Sequence, residues 1–75
     1  MDNATMLHEC RAALQAKVYA PWFIALATAM LDAAGGAQRA AITISAIDPP
    51  AAAAVEGTIY AMLTPLHAAL CGGGE

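Results

Sequence analysis

Seventy-five residues make one small domain at most, and a chain of this size buries only about 60% of its unfolded surface on folding. The composition is 60% hydrophobic but only 5% aromatic, with Ala at 21 of 75 positions, so helix is favoured while little large apolar surface is on offer for a core. A net charge of −3, with Arg11, Lys17 and Arg39 the only basic residues, excludes the cationic stripe that nucleic-acid binding needs and argues against a helix held to anionic lipid.

Charged residues are 12% of the chain, about half the usual share. A surface so poor in charge points to part of it being covered by another chain. Cys10 and Cys71 stand near opposite ends, and no basic n-region with an apolar h-region precedes them, which predicts a cytoplasmic protein with two reduced thiols. The apolar runs 18–31 and 58–71 fall short of the roughly 20 residues a transmembrane helix needs, so no stable membrane insertion is expected.

In chain order, Asp2, Asn3 and Thr5 are all good N-cap types, and a first helix is predicted from about Ala4 to Tyr19. Leu7, Cys10, Leu14 and Val18 form its apolar face at helical period. Ala20-Pro21 breaks or kinks the chain, because Pro disfavours helical backbone in the residue before it. The second helix, Pro21 to Ala34, is the centre of the reading. It holds the only Trp and the only Phe, carries one charge at Asp32, opens on Pro at its first position and stops at Gly35-Gly36. Apolar nearly all round, it requires cover on every side.

Residues 37–47 are ambiguous. Ile42-Thr43-Ile44-Ser45 alternates like a strand, but no partner strand is visible, and Ala40, Ile44 and Ile47 share a helical face, so helix is predicted. Asp48-Pro49-Pro50 reads as a boundary, with Asp48 as cap and Pro49 at the next first position. From Ala51 the steps Val55, Ile59, Leu63, Leu66, Leu70 give one regular apolar face, widened by Met62. Pro65 is expected to kink or split this helix. The sequence therefore predicts an all-α fold. Three or four short helices form two helical hairpins over residues 1–71, and 72–75 is a flexible Gly-rich tail.

No residue pattern announces a chemistry. His8-x-Cys10 and His67-x-x-x-Cys71 supply a zinc-like set but fail the usual ligand spacing. A Cys–His nucleophile would need Cys10 to meet His67, or Cys71 to meet His8, together with an orienting group. The acids Glu9, Asp32, Asp48 and Glu56 show no pairing. Neither an enzyme, nor a cofactor, nor a metal is predicted. The large and soft side chains Trp22, Phe23, Met30, Tyr60 and Met62 read as core, or as anchors for another helix.

The stretch Leu7-His8-Glu9-Cys10-Arg11-Ala12-Ala13-Leu14, followed by Phe23, Leu26 and Gly35-Gly36, resembles the small co-chaperones of type III secretion. Those short acidic α-hairpin proteins pair with a helical-repeat chaperone and help keep the needle subunit unpolymerised. The resemblance implies that Leu7, Cys10, Leu14, Phe23 and Leu26 line a hairpin seam or partner face. It covers about 30 residues, and the helical half from Ala37 onward departs from it, as does the missing stretch before Leu7.

Together these readings predict a protein-interaction module that takes a partner's amphipathic helix into a groove and keeps it soluble. The candidate partner-binding residues are Leu7, Cys10, Leu14, Trp22, Phe23, Leu26, Met30, Tyr60, Met62 and Leu66. Two alternatives stand beside it. One is an exported or membrane-active peptide, with Gly35-Gly36 as a processing site between a leader 1–36 and a product 37–75. The other is a self-associating structural subunit.

Overall fold

The computed structural model describes residues 2–72, which are helical apart from two short connections. Helix α1 spans Asn3–Ala16, α2 spans Pro21–Ser45, α3 spans Pro49–His67, and a π-helical turn, Ala68–Gly72, extends α3. No strand occurs among the described residues, so Ile42–Ser45 is helix. Its hydroxyls fold back on the helix itself: Thr43 Oγ1 donates to the Arg39 carbonyl at 3.3 Å and Ser45 Oγ to that of Ile42 at 2.6 Å.

The caps follow the sequence closely. Asp2 accepts from the Thr5 amide at 2.7 Å and opens α1, and Asp48 accepts from the Ala51 amide at 3.3 Å and opens α3. Pro21 and Pro49 occupy the first turns of α2 and α3, where a missing N–H costs nothing. Helix α1 ends three residues earlier than predicted, at Ala16. Lys17 and Ala20 are extended (ψ 161° and 142°), the backbone that a following proline favours at Ala20. Val18 consequently leaves the apolar face assigned to it and stands fully exposed in the connection.

The larger correction is at Gly35-Gly36. Both glycines lie inside α2, neither has a positive φ, and the helix runs on for nine further residues to Ser45. Each Gly costs about 1 kcal/mol against Ala in a helix interior. Burial of Leu31 and Ala34 on one side and Ala41 on the other holds the helix together across them. Pro65 also lies within helix, and α3 continues past it to His67. The helix then widens into the π turn, which still places Leu70 in the core. Gly72, assigned to the tail, belongs to this turn; residues 73–75 lie outside the described residues.

The core joins all elements: Met6 and Cys10 from α1, Ala27, Leu31 and Ala34 from α2, Ile59, Leu63 and Leu66 from α3, and Leu70 from the π turn. Helix α1 runs antiparallel to α2, since Asn3 meets Gln38 while Arg11 meets Asp32, and parallel to α3, since Asn3 meets Glu56 while Glu9 meets His67. Beyond Asn3 the α2–α3 hairpin continues as two helices without a third. Ala41 and Ala52 are buried in this tip, and Ile42 and Ile47 are exposed on it. The molecule is correspondingly long, 42 × 23 × 15 Å, with a radius of gyration of 13.1 Å against about 11 Å for a compact chain of this length.

Candidate functional site

The predicted partner-binding residues separate into three groups by depth. Cys10 and Leu66 are buried in the core and offer nothing to a partner in this conformation. Leu7, Leu14, Phe23, Met30 and Met62 are half-buried and pack against that core. Trp22, Leu26 and Tyr60 are exposed, Trp22 at 69% and Leu26 at 52% of their full accessibility.

Trp22 and Leu26 belong to one continuous surface. They begin the outer face of α2, which continues through Ala29, Ala33, Gly36 and Ala40. All of these are exposed except Gly36, which is half-buried, and none is charged. Helix α1 does not reach this face. It meets α2 on the flank carrying Asp32 and Gln38, where Arg11 Nη2 donates to Asp32 Oδ1 at 3.1 Å and Asn3 Nδ2 donates to Gln38 Oε1 at 3.1 Å. The aromatic end is fixed by local stacking. The Trp22 ring meets Phe23 edge-on with centroids 5.9 Å apart, and Phe23 meets Tyr19 at 5.2 Å. An aromatic held in this way loses little freedom on being covered, which suits an anchor.

The polar groups are arranged for cohesion. Asn3, buried, donates from Nδ2 both to Gln38 Oε1 and to the Glu56 carbonyl at 3.0 Å, tying α1 to α2 and α3 at one point. His67 Nε2 lies 2.7 Å from Glu9 Oε1, which fastens the far end of α1 to α3. The exposed Cys71 donates weakly from Sγ to the Glu9 carbonyl at 3.7 Å. Burial pushes the Cys10 thiol above its ordinary pKa, with smaller contributions from Cys71 and Glu9, so Cys10 is an inert, apolar-like thiol. The hydrogen bonds from Thr5 hold the Asp2 carboxyl below its usual range.

The zinc-like set of two His and two Cys is not assembled among the described residues. His67 meets Glu9 rather than a thiol, His8 faces solvent, and among the described residues no three of His, Cys, Asp and Glu gather where a metal ion could be held. No cavity opens among the described residues, and none of their helices is long and apolar enough to cross a membrane. Sequence reasoning missed Asn3, read only as a cap type, and Met6, which lies one turn before Cys10 on the buried face. The Met6–Cys10 spacing was the available signal for the second. Compared with protein-family models, curated proteins and solved structures, the chain matches none.

Proposed function

We propose that the chain is a cytosolic protein-interaction module whose outer α2 face docks an amphipathic helix of another protein and keeps that helix from assembling elsewhere. In this reading the two successive helical hairpins are the scaffold, and Trp22 and Leu26 are the anchors. The observation that carries it is the uncharged outer face of α2, left uncovered by α1 and α3 while Trp22 is pinned against Phe23 at its end. Burying a Trp and a Leu of this exposure contributes a few kcal/mol, about 1.5–3 for each large side chain fully covered. The resemblance to needle-subunit co-chaperones makes a self-assembling secretion subunit the first client to test.

Tagged protein is recovered from its native cytosol under a stringent wash, and the bound chains are identified by mass. A stoichiometric helical partner is expected with the wild type, and Leu26→Asp is expected to lose it at least tenfold. Equal recovery by the wild type and Leu26→Asp would remove the outer α2 face from the interaction.

A further inference from the structure

The outer face of α2 has a stricter order than mere apolarity. Leu26, Ala29, Ala33, Gly36, Ala40 and Thr43 step by 3, 4, 3, 4 and 3, and Trp22 precedes them by 4. A repeat of seven with two apolar positions per repeat is the seam of a two-helix coiled coil. Within the protomer this seam has no partner. Its central glycine also has no internal reason to be one, because a Cβ on Gly36 would meet only the tip of Arg39 at 4.0 Å, an ordinary contact. A bare backbone on an exposed helix face serves close approach by something outside the protomer.

The charges beside the seam say what approaches. Asp32 and Arg39 are seven residues apart on the same flank, each immediately before a seam residue, Ala33 and Ala40. Their midpoint is Gly35-Gly36. A second α2 laid antiparallel, its seam centred one residue earlier at Ala34-Gly35, brings the flanking Asp32 of each copy beside Arg39 of the other, twice by symmetry. Asp32 Oδ1 already takes Arg11, its side chain is 65% exposed, and its second oxygen is free to accept. Arg39 makes no ion pair among the described residues. With that centre the seam layers set Ala33 against Gly36 and Ala29 against Ala40, small on small. The same centre also brings Trp22 opposite Ile47, which is 82% exposed just beyond the end of α2. A parallel pairing aligns neither the charges nor these ends.

Building on the reading of this face as a docking surface, we infer that a second copy of the chain covers it when no client helix is bound, paired antiparallel through α2 about Ala34-Gly35. A seam about 37 Å long and about 11 Å wide covers on the order of 400 Å² per copy, which places the pair among weak, concentration-dependent dimers.

The test is sedimentation equilibrium of purified full-length protein from micromolar to millimolar concentration. The wild type is expected to rise from 7.6 kDa towards twice that mass. Ala33→Glu, at an exposed site, is expected to stay monomeric with unchanged helical circular dichroism. Arg39→Asp and Asp32→Arg each set like charges against each other and are expected to weaken self-association about tenfold. Mixed together they restore both opposite-charge pairs, and the mixture is expected to associate at least as well as the wild type. A mixture no tighter than either variant alone, or an Ala33→Glu protein that dimerises like the wild type, overturns the antiparallel seam. A wild type that remains at 7.6 kDa throughout overturns self-pairing and leaves the docking reading to the Leu26→Asp comparison, which does not depend on it.

Discussion

Asn3 shows how one polar side chain can fix the arrangement of three helices. Its amide reaches Gln38 on α2 and the carbonyl of Glu56 on α3, and removing it leaves two acceptors short of a donor in a partly buried place. Such a loss costs about 1–2 kcal/mol, and Asn3→Ala is expected to lower Tm by at least about 4 °C in a thermal melt. An unchanged melting curve would mean that water replaces both bonds without cost. The Arg11–Asp32 bridge is a contrast at the same scale. Both side chains are largely exposed, and such pairs contribute about 0–1 kcal/mol. Asn3 was not legible in the sequence, where its type signals only a cap. Its role depends on Gln38 and Glu56 arriving from 35 and 53 residues away, and no local pattern carries that information.

Among the elements, the boundaries written in side-chain chemistry were legible and those written in propensity were not. Asp2, Pro21, Asp48 and Pro49 act where they stand, through a carboxylate on an amide or a ring that fixes φ, and all four mark true helix starts. Gly35-Gly36 carries only a preference. Burial of Leu31, Ala34 and Ala41 outweighs it, so two expected helices are one of 25 residues. The α3 face Ile59, Leu63, Leu66 and Leu70 was readable despite Pro65, because the π turn restores Leu70 to the core. Of the candidate site, the period in the sequence identified which residues are apolar but not which side of the core line each occupies. Cys10 and Leu66 therefore fell inside while Trp22 and Leu26 remained outside. Gly57 offers a direct measurement of propensity without packing, since a Cβ there meets nothing within 4 Å. Gly57→Ala is expected to stabilise the protein by about 0.5–1 kcal/mol, read from denaturant midpoints. Destabilisation instead would reveal a requirement for that open surface.

For the whole molecule, length is the governing property. Near α1 three helices share Leu31, Leu63 and Leu70, whereas the tip beyond Asn3 buries only Ala41 and Ala52. Methyl groups bring little area out of water, so the tip is the low-stability end. Native-state hydrogen exchange is expected to show the amides of 40–55 opening at lower free energy than those around Leu31 and Leu63. Uniform protection along α2 and α3 would show that the hairpin opens as one unit.

The outer face of α2 also determines which experiments can see it. A surface already built from Ala29, Ala33 and Ala40 is invisible to truncation: an alanine scan passes over its centre without changing an atom and reports only its rim at Trp22 and Leu26. The information there is held in what is absent, the room left by missing side chains, and it is read only by adding bulk, one enlarged residue at a time.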